Sequence, residues 1–152
     1  MTTRFLPLAP AHRIKVLELM RAYADEDGQS FSLANATAAV DAILADTPLA
    51  SLWLVELDGE IAGYLCVTQG FSLETGGGDF FLDEIYLVPT ARGRGLGHEA
   101  IAFAERESQA AGARRLCLEV EPDNRRAAKL YGELGYRSHG RHLMSKPLRH
   151  DG

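Results

Sequence analysis

No run of apolar residues in this chain comes near the roughly 18 that a membrane span needs, because charge or glycine breaks each one well short of it. The opening Met1-Thr2-Thr3-Arg4 is not followed by the hydrophobic stretch of a signal peptide. Cysteine is scarce. Cys66 and Cys117 both sit in apolar, strand-like runs, where a reduced buried thiol is expected rather than a disulfide or a metal pair. The histidines His12, His98, His139, His142 and His150 show no metal-ligand spacing coupled to other donors, so no metal is assigned. Positive charge is in deficit too: 16 Lys and Arg against 21 Asp and Glu leave a net charge of −5, the wrong balance for a nucleic-acid partner. Internal repeats and low-complexity tracts are missing. The chain reads as a cytoplasmic protein, expected to form one compact domain over residues 1–152, with an apolar fraction of 46% that is ample for a single core.

The informative residues are concentrated in one segment. Arg92-Gly93-Arg94-Gly95-Leu96-Gly97 stands between an apolar strand ending at Val88-Pro89 and a helical stretch that begins near Leu96. A strand, a glycine-rich turn and a helix start leave backbone N–H groups unpaired at a positive dipole end, which suits an anion. Two interleaved arginines point to phosphate or pyrophosphate. The same residues also fit a plain glycine turn capping a helix. A P-loop would need Gly-Lys followed by Ser or Thr, which the chain lacks. A Rossmann fingerprint would need its third glycine where His98 stands.

Periodicity supplies the frame. A strand is expected over Thr3–Pro7, then a helix from Pro10 to Tyr23 with Ile14, Leu17 and Met20 on one face. A second helix from Asn35 to Ala45 carries a weaker stripe of Ala39, Ala42 and Ile43. Leu52–Leu57, Asp58-Gly59 and Ile61–Thr68 read as a hairpin. Glu74–Asp79 reads as a flexible loop, Phe80–Pro89 as a central strand, and Leu96–Ala111 as a helix with Ala100, Phe103 and Ala104 inward. Leu116–Val120 is apolar enough for a parallel strand buried on both faces. Asn124 is a good N-cap, Ala127, Leu130, Tyr131 and Leu134 share one helical face, and Gly135 is a stop. Tyr136–Arg141 and Leu143–Pro147 are expected as closing strands.

Arg92, Gly95 and Gly97 meet the pattern Arg/Gln-x-x-Gly-x-Gly/Ala, which resembles the coenzyme A pyrophosphate loop of the GCN5-related N-acetyltransferases (GNAT). Asn124 to Tyr136, with Tyr131 two turns into the helix and Leu134-Gly135-Tyr136 closing it, looks like a second signature of that family, and Phe80–Pro89 looks like its central strand. The spacing of these signatures, the acidic pair Asp83-Glu84 and the segment Gly70-Phe71-Ser72-Leu73-Glu74 look most like the diamine-acetyltransferase-like branch. The resemblance implies an α/β (α+β) fold: a mixed, mostly antiparallel central sheet with a parallel central strand pair, flanked by about four helices. It implies acetyl-CoA as co-substrate, held by Ile85, Tyr86, Leu87 and Val88, by Arg92, Gly93, Arg94, Gly95, Leu96, Gly97 and His98, and by Asn124, Ala127 and Tyr131. It also allows a homodimer.

The implied reaction moves an acetyl group to a primary amine by direct attack. An alkyl amine with a pKa of about 10.4 is free base to only about 0.1% at pH 7.4, so a base or a relay to water is needed. Glu84 is the candidate, with Tyr86 on its own face of the strand and Asp83 and Ile85 on the other; a bulge would exchange Asp83 for Glu84. The pair also fits solvated or salt-bridged strand residues. Tyr131 matches the family's general acid for the departing thiolate, and backbone N–H groups around Leu87 and Val88 can polarise the thioester carbonyl. Asp25, Glu26, Asp27, Glu74, Asp79, Asp83, Glu84, Glu119 and Glu121 would favour a small cationic amine if several converge, and are ordinary solubilising charges if they do not. Arg114 and Arg115 read as a solvated helix-to-strand turn. Two other readings stand beside this one, a non-catalytic acyl-CoA sensor and an enzyme acting on a protein lysine or N-terminus; a nucleotide-binding module with Glu119 as ribose ligand fails on the missing third glycine and on the lack of a glycine turn after the first strand.

Overall fold

The computed structural model describes residues 1–149, which fall into two compact units, the first Met1–Leu118 and the second from Glu119 onward. In the first unit β1 (Thr3–Pro7), β2 (Ala50–Leu57), β3 (Glu60–Thr68), β4 (Phe71–Ser72), β5 (Gly77–Leu87) and β6 (Ala113–Cys117) make one six-stranded sheet, accompanied by α1 (Arg13–Glu26), α2 (Leu33–Leu44) and α3 (Leu96–Ala110). The strand order is β1-β2-β3-β5-β4, and β6 takes the opposite edge of β5. Every pairing is antiparallel except β5–β6. This is the mixed sheet the sequence implied.

Strand alternation divides the core. Leu52 and Leu54 of β2, Tyr64 and Cys66 of β3 and Tyr86 of β5 pack with Val16 and Leu19 of α1 and Val40 of α2. On the other face Phe103 of α3 stacks on Phe5 at 4.3 Å between ring centroids and meets Trp53 edge-on at 5.2 Å. The β2–β3 turn is built on Asp58 and Gly59, both at positive φ (51° and 84°), the geometry whose twist matches a hairpin.

Gly63 of β3 fixes the spacing of the central pair. A side chain there would run into the carbonyl oxygen of Tyr86 and lie 3.1 Å from Leu87 Cα, backbone atoms with nowhere to move. Gly63→Ala is therefore expected to cost about 3 kcal/mol in urea denaturation. A loss below about 0.5 kcal/mol would mean that β3 and β5 can separate freely here.

Several boundaries differ from the sequence reading. Pro10–His12 forms a 3₁₀ turn and α1 extends to Glu26, with Ile14 72% exposed because the inward stripe runs through Val16, Leu19 and Met20. In α2, capped by Ser32 Oγ accepting from the Asn35 N–H at 3.2 Å, the buried positions are Ala36 and Val40, while Ala39 and Ala42 face outward. The segment read as a flexible loop is a tight turn instead: Gly77 and Gly78 already pair with Ser72 and Phe71. β6 starts three residues earlier than the apolar run, where Arg115 pairs with Asp79 of β5, and is only half-buried. Neither closing strand forms; residues 137–149 are exposed and without regular structure. Gly140 at φ 67° interrupts the first of them, and neither segment offers the alternating apolar face that would reward pairing.

Candidate active site

β5 outruns its parallel partner. β6 pairs with it from Gly78 to Phe81 and ends at Cys117, whereas β5 continues to Leu87, paired there with β3 among the described strands. The Val88 N–H donates to Ala62 O at 2.8 Å, so antiparallel alternation turns the amides of Glu84 and Tyr86 toward β3 and those of Ile85 and Leu87 toward the edge that β6 has left. Of the two amides assigned to carbonyl polarisation from sequence, that of Val88 is thus already committed to Ala62.

The chain then crosses a 3₁₀ turn, Pro89–Ala91, and reaches the glycine segment. Gly93 and Gly95 adopt φ of 79° and 78°, a backbone that a larger residue enters at a cost. Gly95 caps α3 without a side chain, and the first helical bond runs from the Glu99 N–H to Gly95 O at 3.2 Å. The N–H groups of Leu96, Gly97 and His98 have no acceptor within the helix, as at any helix start. Gly97 leaves open space where a Cβ would stand, and Arg94 and His98 are exposed.

Arg92 has other work. Its guanidinium donates to Glu26 Oε2 at 2.8 Å and, through Nε, to Leu87 O at 3.0 Å, and it lies 5.7 Å from the centroid of the Tyr86 ring. Glu26 closes α1, so this pair ties the helix end to the tip of β5. Its carboxyl is held below the ordinary range, chiefly by the Arg92 hydrogen bond. Arg92 therefore anchors the loop more than it adds a free cation to it.

One face of β5 holds the acid–base candidate. Tyr64 donates its hydroxyl to Glu84 Oε1 at 2.6 Å, Tyr86 lies beside Tyr64 with rings 6.2 Å apart, and Tyr23 of α1 stacks on Tyr86 at 5.4 Å. Burial raises the Glu84 carboxyl above its ordinary value; the Tyr64 hydrogen bond partly opposes this and the Asp83 charge adds to it. The register passes from Cys66↔Glu84 to Val67↔Leu82, which leaves Asp83 as the extra residue of a β-bulge. Asp83 is exposed, and its pKa is also raised by its surroundings. Burial, followed by the charges of Asp83 and Glu84, pushes the Cys66 thiol up to about 12, so it stays protonated at neutral pH.

The acidic residues do not converge as a free set. Arg115 of β6 grips Asp79 through two 2.8 Å hydrogen bonds and reaches Glu74 at 3.7 Å, which corrects its reading as part of a solvated turn. Arg114 lies over Gly77. With Glu26 on Arg92 and Glu84 on Tyr64, four of the nine acids considered have partners inside the first unit.

Asn124, Ala127 and Tyr131 belong to the second unit, on α4 (Arg125–Glu133). Asn124 Oδ1 accepts from the Ala127 N–H at 3.1 Å, as its capping role requires. Tyr131 is half-buried, meets Tyr136 edge-on at 6.0 Å, and has its phenol pKa raised by burial. Among the described residues no cluster of three His, Cys, Asp or Glu side chains forms a metal site; His150 lies outside those residues. No described helix is long and apolar enough to cross a membrane.

Tyr64 escaped the sequence reading as a site residue, and Glu26 figured there only as one of nine acids, not as the partner of Arg92. Their partners lie 20 and 66 positions away, and only strand register or helix packing brings them together.

The model of the acetyltransferase (GNAT) family matches residues 16–136. An uncharacterized N-acetyltransferase of Bacillus subtilis, YhfO, is 31% identical over 83 residues, which cover 55% of this chain and 56% of that one. A mycothiol acetyltransferase of Corynebacterium efficiens is 41% identical over 66 residues, or 41% of this chain and 22% of that one. The matched stretches thus span about half or less of these relatives. An integron cassette protein from a salt-marsh metagenome superposes with a TM-score of 0.82 at 28% identity, covering 97% of this chain and 91% of that one. The aminoglycoside N-acetyltransferase AAC(6')-Iy, solved with the bisubstrate analogue CoA-S-monomethyl-acetylneamine, superposes at 0.83 with 18% identity and coverage of 98% and 100%. That second likeness speaks for the fold alone. With the family model spanning β2 to β6, the glycine turn and α4, the chain belongs to the acetyltransferase (GNAT) family.

Proposed function

We propose that this protein transfers an acetyl group from acetyl-CoA to a primary amine of a small molecule. The observation that carries the reading is the β5 edge freed by the end of β6, with the Ile85 and Leu87 amides directed at it and a glycine-bounded helix start following on the same strand. Such an edge can accept an extended amide-bearing arm as an added half-strand, while the helix start takes its pyrophosphate. Gly93, Arg94, Gly95, Leu96, Gly97 and His98 hold the pyrophosphate on a loop that Arg92 anchors through Glu26 and Leu87, with Asn124 and Ala127 assigned cofactor contacts by the family motif. Glu84 accepts the amine proton directly or through water. Tyr131, also by the motif, protonates the departing thiolate. The same reading expects a cytoplasmic enzyme that works without a metal. A preference for cationic amines rests on the acids that no described residue pairs, Asp25, Asp27 and Asp83 among them.

Gly97 offers a test that leaves the fold alone. No atom lies within 4 Å of a Cβ built there, and its φ is not positive, so Gly97→Val should melt like the parent. Its side chain would stand where a pyrophosphate must approach the backbone. Isothermal titration with acetyl-CoA should give a Kd weakened about 10-fold or more. An unchanged Kd in the folded variant would overturn the loop assignment.

A further inference from the structure

We infer that Tyr64 is a positioning residue for Glu84, holding one carboxylate oxygen by its buried hydroxyl so that the other is left to take the amine proton. The inference rests on the acetyl-transfer reading for its chemistry and on the β3–β5 register for its geometry. Tyr64 is 1% exposed, stands opposite Tyr86, and reaches diagonally to Glu84, two register positions along the ladder, at 2.6 Å. That length suits a hydroxyl donating to an ionised carboxylate.

The surroundings leave few substitutes for this bond. β3 presents Tyr64 and Cys66 to this face, α1 presents Tyr23 and Glu26, and β5 itself contributes Asp83 and Tyr86; α2 adds the apolar Val40, Ile43 and Leu44. Arg92, the cation beside this group, is engaged by Glu26. Of the influences on Glu84, burial and the Asp83 charge disfavour the ionised form, and the Tyr64 hydroxyl opposes them. An unanchored carboxyl in this place would also be free to change rotamer, and a base must be held within hydrogen-bond reach of the proton it removes. Tyr64 meets both needs through a single contact. Its own pKa lies above the ordinary value, chiefly from burial, so it remains a donor throughout the working range.

Tyr64→Phe removes the hydroxyl and keeps the ring. With the stabilising bond gone the Glu84 pKa must rise, so the acid limb of kcat/KM should move up by about one pH unit, and the rate on that limb should fall about 10-fold. Glu84→Gln and the double variant Glu84→Gln/Tyr64→Phe should be equally active, because Tyr64 acts only through Glu84. A measurement without turnover separates this inference from the reading it rests on: ¹³C NMR of protein labelled at the glutamate carboxyl, with the Glu84 signal assigned by its loss in Glu84→Gln. A Glu84 midpoint that rises in Tyr64→Phe supports the inference even if no amine is found to be acetylated, in which case the proposed function is what fails. A midpoint that stays put, or a double variant clearly slower than Glu84→Gln, overturns it.

Discussion

Glu84→Gln should lower kcat/KM at neutral pH by about 10²- to 10³-fold, with the deficit shrinking as the pH climbs toward the pKa of the amine. The direction follows from proton bookkeeping. At pH 7 the attacking amine is almost wholly protonated, so a nearby acceptor raises the share that can react; near the amine pKa, solvent and hydroxide do the same work. Burial lifts the Glu84 carboxyl above its ordinary value, which makes it a stronger base than a surface glutamate. The parent's activity should therefore fall on the acid side as the pH drops through this raised value. Asp83, the bulged and exposed residue of the pair, should matter less, and Asp83→Asn should cost under about 10-fold. If the Glu84→Gln deficit is the same at every pH, Glu84 holds substrate rather than moving its proton.

Tyr131→Phe should reduce kcat by about 10²-fold and leave the acetyl-CoA Kd nearly unchanged, the signature of a lost proton donor rather than a lost binding contact. Burial raises the phenol pKa, so the donor is fully protonated at neutral pH and stays so well into the alkaline range. The ring also meets Tyr136, and phenylalanine preserves that edge contact, so the comparison isolates the hydroxyl. Parental turnover in the folded variant would make Tyr131 a packing residue of α4.

What could be read in the sequence was whatever local chemistry decides. Asp58-Gly59 allows few geometries but a tight hairpin, Asn124 caps the next turn with its own side chain, and Gly135 at φ 96° ends the helix. The glycine turn belongs to the same class, since its backbone demands are written in its residues. The β5 bulge does not. It depends on how Leu82 and Glu84 register against Val67 and Cys66, a pairing that no window along the chain contains. Tyr64 was invisible as a site residue for the same reason.

Charge was the least legible quantity. Glu26, Glu74, Asp79 and Glu84 count equally as acids in a sequence, yet the fold gives the first to Arg92, the next two to Arg115 and the last to a tyrosine hydroxyl. Apolar runs misled at β6 and at the chain's end. Leu116–Val120 has the composition of a doubly buried strand, but β6 runs from Ala113 to Cys117, with Arg115 paired to Asp79, and Val120 is 39% exposed. Leu143 and Met144 looked like strand residues and stand 76% and 89% exposed, with no partner strand to cover them.

The most direct test of acetyl transfer is to follow free CoA thiol from acetyl-CoA across a panel of amines: spermidine, putrescine, a lysine peptide and an amine with a neutral body, each at low and high salt. Amine-dependent thiol release matched one for one by acetylated small amine is the expected result, with rates for the cationic members falling as salt screens their attraction over a Debye length of about 8 Å at physiological strength. Acetyl-CoA binding with no amine-dependent thiol release from any member would contradict it, and would make the chain a sensor of the cofactor rather than an enzyme.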